Sequence, residues 1–191
     1  MKIKKGMGLV ADVFKDGVAD LQGYAAIGHV RYSTTGASMP YNIQPLKVYF
    51  DGGNLALSHN GNLTNAGQLR ANLAKEGAVF NTTVDSEVVL TLIAYSARPT
   101  IEERVAEAVN QIKGAFAILL MTDNKIIAVR DPYGFRPLVL GKMENGWCVA
   151  SESCAFDLVG AELVRDVKPG EMIIIDSDNS CLLYTSPSPR D

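Results

Sequence analysis

Three polar clusters in the first half of the chain contain residue types that could bind an amino acid. The first cluster, residues 28–36, has Arg31 at the end of an apolar stretch, followed by a loop rich in glycine and hydroxyl side chains. A guanidinium group offers a planar fork that fits a carboxylate, and hydroxyl groups can add hydrogen bonds. This cluster therefore predicts a site for a carboxylate.

The second and third clusters supply the complementary chemistry. Residues 58–65 contain Asn60 and Gly61 between a predicted strand and a predicted helix. An asparagine side-chain amide beside a glycine N–H can form an oxyanion hole. Residues 83–87 place Asp85 at the start of another predicted helix, where its carboxylate could bind an ammonium group. Together the clusters predict a site for a zwitterionic amino acid whose side-chain carbonyl is attacked.

Each of these residues also has a plainer interpretation. Arg31 could be an ordinary surface arginine. Asn-Gly at 60–61 is a common tight turn. Asp85 is a good helix N-cap. Taken singly the clusters leave these alternatives open, and only their combination favours a ligand site.

Composition and charge exclude several classes of function. The chain has 191 residues and a net charge of −3, without the basic patch of a nucleic-acid-binding protein. Its longest apolar run, residues 115–121, is far shorter than the roughly 18 residues that a membrane span needs. The three cysteines form no C-x-x-C pair and the two histidines lie far apart, so we expect no metal site and no disulfide framework. This cysteine usage indicates a reducing compartment, the cytoplasm.

The order of predicted elements indicates an α+β fold with mostly antiparallel sheets. Long apolar runs in the strands suggest sheets covered on both faces, as in a layered sandwich. Turn residues and apolar periodicity predict helices at 65–76, 86–96, 101–112 and 154–159. They predict strands at 8–14, 25–32, 47–50, 55–59, 115–122, 126–130, 138–143, 147–151 and 171–175.

The three clusters resemble the class II glutamine amidotransferase domain. The matching motifs are Gly-His-Val-Arg-Tyr-Ser-Thr-Thr-Gly at 28–36, His-Asn-Gly-Asn-Leu-Thr-Asn at 59–65 and Asp-Ser-Glu-Val-Val at 85–89, in that order. Residues 6–14, 130–138 and 150–157 are similar to the same family, so the resemblance runs from about residue 6 to 175. Within the family, the motifs look most like the branch that passes ammonia to phosphoribosyl pyrophosphate.

This resemblance implies a fold and a set of roles. The fold would be that of the N-terminal nucleophile hydrolases, an αββα sandwich with two mostly antiparallel sheets between helix layers, here incomplete at the N-terminus. The activity would be hydrolysis of glutamine to glutamate and ammonia. Arg31 would bind the glutamine carboxylate with Thr34 in the same loop, Asp85 would hold the α-ammonium, and Asn60 and Gly61 would stabilise the oxyanion. Residues 130–138 and 151–157 are expected to shape strands and turns rather than touch substrate.

The sequence departs from the family at the nucleophile. That nucleophile is a cysteine at the first residue of the mature chain, with its own α-amine as base, whereas no cysteine precedes Cys148 here. We expect Cys148 and Cys154 to be buried structural cysteines. The resemblance therefore implies an inactive piece of a longer enzyme: residues 1–180 form the amidotransferase domain without its first strands, and residues 181–191 form a disordered or non-native tail. The alternatives are a glutamine-binding or interaction module without a nucleophile, or a piece of another class II amidotransferase.

The resemblance also implies partners and cofactors. The substrate would be glutamine, and the partner would be a phosphoribosyltransferase domain that is not recognisable in this sequence. The longer protein would be a homo-oligomer that binds neither nucleic acid nor membrane. No cofactor or metal is expected in these residues. Magnesium would belong to the second domain, and an iron–sulfur cluster there is left open.

Overall fold

The computed structural model describes residues 1–31, 39–178 and 180–185. The helices within these ranges are α1 (Val10–Val13), α2 (Ala66–Lys75), α3 (Glu87–Tyr95), α4 (Ile101–Gln111) and α5 (Cys154–Val159). The strands are β1 (Leu46–Phe50), β2 (Gly53–Leu63), β3 (Gly114–Met121), β4 (Lys125–Arg130), β5 (Val139–Met143), β6 (Gly146–Ala150), β7 (Glu162–Asp166), β8 (Glu171–Asp176) and β9 (Cys181–Thr185).

The strands form two antiparallel sheets. The larger sheet has the order β1-β2-β3-β4-β8-β9, and the smaller has the order β6-β5-β7. Consecutive strands pair in the hairpins β1–β2, β3–β4 and β5–β6. Short loops rich in glycine, asparagine and aspartate favour such hairpins because these residues adopt tight-turn conformations readily.

Two hydrophobic cores separate the layers. Successive residues of a strand point to opposite faces, so Leu57 and Ile118 of the larger sheet contact the helix layer of α2, α3 and α4. On the opposite face, Ala117 and Ile173 belong to a core shared with Leu140 of the smaller sheet. Helix α5 covers the outer face of that sheet. This αββα arrangement confirms the predicted fold class.

Helix α5 packs against strand β5 through Phe156. The next residue after Leu140, Gly141, faces outward, and a Cβ added to it would lie 2.8 Å from the Phe156 ring. Phe156 is buried, and the glycine leaves room for its ring against β5.

Two strands predicted near the N-terminus are wrong. Residues 10–13 form the short helix α1, in which the Val13 N–H donates to the Leu9 carbonyl at 3.0 Å. Residues 25–31 are neither helix nor strand, and residue 32 lies outside the described part of the chain. A strand needs a partner for its backbone groups. In the described ranges neither segment has one, since the larger sheet begins with β1.

The predicted tail is wrong for its first five residues. Residues 181–185 form β9, which pairs with β8 from Ile175 opposite Cys181 to Glu171 opposite Thr185. The physical reason is that β8 would otherwise present unpaired backbone groups, which β9 satisfies. Residues 186–191 lie outside the described residues. Strand β7, which the sequence analysis missed, is an exposed edge strand with no clear apolar alternation.

Candidate functional site

The Asn60-Gly61 pair lies within a strand and not in a turn. Strand β2 continues to Leu63, and in its pairing with β3 Gly61 stands opposite Phe116. The backbone of Gly61 has φ +144°, and a Cβ added there would lie 2.0 Å from the carbonyl oxygen of Ala115. Glycine is therefore required at this position by the close approach of β3, and the tight-turn interpretation is wrong.

Side chains bond to the backbone of β2 at its outer edge, beyond the point where its pairing with β1 ends. β1 pairs only with residues 53–57 of β2. Beyond that point the His59 N–H donates to Gln44 Oε1 at 2.6 Å. The His59 carbonyl accepts from Gln44 Nε2 at 3.4 Å and lies 3.1 Å from His29 Nε2. These side chains take the place of the missing strand partner.

The N–H of Gly61 points to the same edge. In an antiparallel ladder, alternate residues direct their backbone groups to the same side, so residues 59, 61 and 63 share the edge away from β3. The Leu63 N–H donates to Asp85 Oδ2 at 2.7 Å, which agrees with this assignment. The Gly61 N–H thus lies between His59, bonded to Gln44, and Leu63, bonded to Asp85.

The side chain of Asn60 projects from the inter-sheet face of β2. Asn60 pairs with Ala117, which belongs to the core between the sheets, whereas its neighbour His59 pairs with Ile118 of the helix-side core. Asn60 and Gly61 therefore place an amide group and an N–H at adjoining positions of the strand end. Such a pair is the arrangement that an oxyanion hole requires.

Asp85 connects the end of β2 to the start of α3. Its Oδ1 accepts from the Ser86 N–H at 2.8 Å, and the same oxygen lies 3.6 Å from His59 Nδ1, just beyond hydrogen-bond length. Burial raises the pKa of Asp85, but the His59 imidazole and the N–H groups of Leu63 and Ser86 together hold it below its usual value. The half-buried carboxylate is therefore ionised at neutral pH.

The cap interpretation of Asp85 is wrong in its details. The N-cap of α3 is Ser86, and its side chain makes no capping bond. Asp85 precedes the cap and contacts the N–H of Ser86 itself, whereas a capping side chain accepts from the second or third helical residue. By contrast, Thr100 and Glu103 form a complete capping box at the start of α4.

Two buried polar side chains hold the segment that precedes Asp85. Glu87 accepts the N–H of Asn81 at 2.7 Å and the N–H of Thr82 at 2.9 Å. Asn42 accepts the N–H of Thr83 at 3.0 Å and donates to its hydroxyl at 2.8 Å. Glu87 stands in the Asp-Ser-Glu motif, which could have signalled it, whereas no motif contains Asn42 or Gln44.

Arg31 lies two residues after His29, whose side chain contacts the outer edge of β2. It is half-buried and follows His29, which contacts the His59 carbonyl. The positive charge of Arg31 is one of the influences that lower the pKa of the His29 imidazole. Arg31 therefore lies near His29, and His29 contacts the same strand as Asp85 does. The predicted contribution of Thr34 lies outside the described residues.

The motif at 130–138 is a structural turn, as predicted. The buried Asp131 carboxylate accepts from the N–H groups of Tyr133 at 3.0 Å, Phe135 at 3.1 Å and Arg136 at 3.1 Å. The Arg130 guanidinium donates to the carbonyls of Arg136 and Gly134. These bonds use the charged groups within the turn.

The cysteines do not form a catalytic group in the described structure. Cys148 is half-buried and burial raises the pKa of its thiol, which favours the unreactive protonated form. Cys154 is exposed, so the expectation of a buried Cys154 is wrong, because the first turn of α5 faces solvent there. Among the described residues no cluster of histidine, cysteine and acidic side chains could hold a metal ion.

A cavity of about 790 Å³ lies between the sheets at the opposite end of β2. Its walls include Leu119, Met121 and Trp147, and it contains none of the predicted site residues. We place the site at the polar strand edge, because charged and hydrogen-bonding groups converge there and the cavity is mostly apolar. In the described ranges, no helix is long and apolar enough to cross a membrane.

Comparison with known proteins agrees with this fold. A family model described as a glutamine amidotransferase domain matches residues 29–157. The chain therefore belongs to the glutamine amidotransferase domain family. It is 48% identical over 183 residues to Amidophosphoribosyltransferase 1, chloroplastic, of Arabidopsis thaliana, covering 93% of this chain and 32% of that protein. It is 46% identical over 176 residues to the Bacillus subtilis amidophosphoribosyltransferase, covering 91% and 37%.

Solved structures show the same relationship. The glutamine phosphoribosylpyrophosphate amidotransferase from B. subtilis, complexed with ADP and GMP, superposes with a TM-score of 0.89 at 43% identity, over 95% of this chain and 39% of that one. A structure titled as the allosteric regulatory enzyme of purine biosynthesis gives a TM-score of 0.91 at 43% identity, over the same shares. The chain spans between 32% and 39% of the length of these relatives.

Proposed function

We propose that the chain binds glutamine at the outer edge of β2. The α-carboxylate goes to Arg31 and the Thr34 hydroxyl, the α-ammonium goes to Asp85, and the side-chain carbonyl goes to Asn60 and Gly61. The observation that carries this proposal is the bond between the Leu63 N–H and Asp85 Oδ2, 2.7 Å long. It brings an ionised carboxylate to the edge on which the Gly61 N–H lies.

The spacing along the strand suits a glutamine molecule. The N–H groups of Gly61 and Leu63 are two residues apart on one edge, which corresponds to about 7 Å in an antiparallel strand. Five bonds separate the ammonium nitrogen of glutamine from its amide oxygen, so an extended molecule has nearly this reach between the two groups. A ligand held at Asp85 by its ammonium group can place its amide beside Gly61.

The electrostatics of Asp85 support the ammonium contact. Each carboxylate oxygen has a second lone pair, so its bonds to Leu63 and Ser86 leave capacity for a cationic donor. The lowered pKa of Asp85 keeps it charged when the ammonium group arrives. A charge-assisted bond in a half-buried position is stronger than one on an open surface.

Asn60 and Gly61 would act on the reacting carbonyl. When a nucleophile attacks the amide, the carbonyl oxygen becomes negative and needs donors that are already in place. In other hydrolases, removal of one such donor costs about 3–4 kcal/mol of transition-state stabilisation. The strand holds the Gly61 N–H rigidly because its neighbours on the edge are both bonded to side chains.

The site would serve a longer enzyme. We propose that this chain is the glutaminase part of an amidophosphoribosyltransferase, in which ammonia from glutamine displaces pyrophosphate from phosphoribosyl pyrophosphate. The product would be 5-phosphoribosylamine, in the first step of de novo purine synthesis. The 48% identity to the Arabidopsis enzyme supports this assignment. A phosphoribosyltransferase domain would be the partner of the site.

A second candidate is a glutamine-binding module without hydrolytic activity. The observation that favours it is the lack of any cysteine before Cys148 in these 191 residues. Both candidates predict glutamine binding by this chain, and both predict no glutamate release from it. They differ in the longer protein, where only the first requires an N-terminal cysteine.

Isothermal titration calorimetry with glutamine, combined with a glutamate-release assay on the same sample, tests the proposal. We expect one site per chain, binding weakened at least tenfold by Arg31→Ala, and no glutamate. Arg98→Ala is the matched control, since Arg98 is an exposed arginine that pairs with Glu107 far along the chain from the site. A folded chain that binds no glutamine, or an Arg31→Ala variant that binds normally, contradicts the assignment.

A further inference from the structure

His29 contacts the larger sheet without belonging to it. Its Nε2 lies 3.1 Å from the His59 carbonyl oxygen, which also accepts from Gln44 Nε2. Residues 25–31 are neither helix nor strand, so the side chain makes the connection that a strand backbone would otherwise make. Arg31 follows two residues later on the same segment.

The contact fixes which ring nitrogen of His29 carries a hydrogen. A carbonyl oxygen only accepts, so His29 Nε2 must carry the hydrogen, and in the neutral ring Nδ1 is then an acceptor. Nδ1 is buried and has no hydrogen-bond partner among the described residues. Protonation would place a new N–H donor where the described residues offer no acceptor, which costs the full desolvation of that group.

Charged neighbours oppose protonation as well. Burial is the largest effect that lowers the pKa of His29, and the bond to the His59 carbonyl partly offsets it. Electrostatic repulsion from the nearby His59 ring and Arg31 guanidinium lowers it further. The carboxylate of Asp85 faces the other histidine, at 3.6 Å from His59 Nδ1. The neutral Nε2–H form of His29 is therefore favoured in the folded chain.

We propose that His29 is a positioning residue for the glutamine site: its neutral ring holds the Arg31 segment against β2, and its protonation releases the carboxylate-binding arginine. The inference rests on the proposed function, because it assigns Arg31 to the glutamine carboxylate. It adds a residue that does not touch the ligand. It also predicts that glutamine affinity falls when the solution is acidified through the titration of this ring.

Two substitutions distinguish a positioning role of His29 from a role in packing alone. His29→Gln keeps an N–H donor at a similar reach and cannot titrate, whereas His29→Leu keeps the apolar volume and removes the donor. Between pH 7.5 and pH 4.5 we expect wild-type glutamine affinity to fall at least fivefold, and the fall should come at low pH because the pKa of His29 lies below its usual value. The Gln variant should bind equally at both pH values, and the Leu variant should be at least fivefold weaker at pH 7.5, in line with the loss of one hydrogen bond. A Gln variant that keeps the pH step, or a Leu variant that binds normally, overturns the proposal.

Nuclear magnetic resonance of the imidazoles tests the contact without glutamine. The chain has two histidines, so His29→Gln assigns both rings directly. We expect His29 as the Nε2–H tautomer at pH 7.5, with the amide signals of Arg31 and His59 following its titration. An Nδ1–H tautomer of His29 overturns the proposal. So do Arg31 amide signals that stay constant while the His29 ring titrates. If glutamine binds no variant, the proposed function fails while this experiment still decides on the His29 contact.

Discussion

The Asp85 carboxylate accepts the Leu63 N–H at 2.7 Å and so fastens the start of helix α3 to the end of strand β2. One bond therefore links the helix layer to the polar edge of the larger sheet. It places a negative charge two residues from Gly61, whose N–H shares that edge. The proposed ammonium contact and the proposed oxyanion contact both depend on this bond.

Asp85→Asn should change how stability depends on pH. The pKa of Asp85 is lower in the folded chain, so its contribution is present above the unfolded value of about 4 and is lost as the pH falls through the folded value. Urea unfolding measures the free energy of unfolding at pH 7 and at pH 3. The decrease between these pH values should be smaller in the variant than in wild type. Asp51→Asn is the control, because Asp51 is exposed and pairs with Arg104. This variant should keep the part of the decrease in unfolding free energy that comes from Asp85.

Gly61→Ala should destabilise the fold by about 3 kcal/mol or more, since strain and overpacking each cost up to about that amount. The added Cβ would lie 2.0 Å from the Ala115 carbonyl oxygen, and neither backbone can move without opening the β2–β3 ladder. Gly67→Ala is the matched control, because nothing lies within 4 Å of a Cβ there. Within helix α2 that change should stabilise the chain by about 0.5–1 kcal/mol. Equal unfolding midpoints for the two variants would contradict the structure.

Glu87→Gln should loosen the segment before Asp85. The buried carboxylate accepts from the N–H of Asn81 and from both the N–H and the hydroxyl of Thr82, and an amide offers one oxygen in place of two. The expected loss is about 1–3 kcal/mol for the group left unsatisfied. Hydrogen exchange at Asn81 and Thr82 should accelerate by more than tenfold. The exposed Glu76→Gln should change neither quantity, and unaltered exchange in Glu87→Gln would show that this network does not hold the segment.

Local signals were sufficient for most of the fold. The apolar faces of α2, α3 and α4 repeat with helical period, the Thr100–Glu103 capping box marks the start of α4, and short polar loops mark the hairpins. Each of these signals involves residues close in sequence. The turn after Asp131 is also marked locally, because its carboxylate accepts from the N–H groups of Tyr133, Phe135 and Arg136.

The site needed information that is not local. Residues 58–63 are mostly polar and contain a glycine, so their strand conformation comes from pairing with β3 and not from their own composition. The supports of the site connect residues distant in sequence: Gln44 to His59 across 15 positions, His29 to His59 across 30, and Asn42 to Thr83 across 41. Sequence patterns within one element carry no record of such contacts, although the residue types of the motifs identified Arg31, Asn60, Gly61 and Asp85.

The central claim is that glutamine binds at the outer edge of β2. A nuclear magnetic resonance titration of the 15N-labelled chain with glutamine at pH 7.5 tests it, with the amide of Arg98, an exposed residue outside the cavity and the site, as an internal reference. We expect the largest saturable shifts on the Gly61 and Leu63 amides, and we expect Asp85→Asn to abolish them. Saturable shifts confined to the inter-sheet cavity around Trp147, or no shifts from a folded chain, would contradict it.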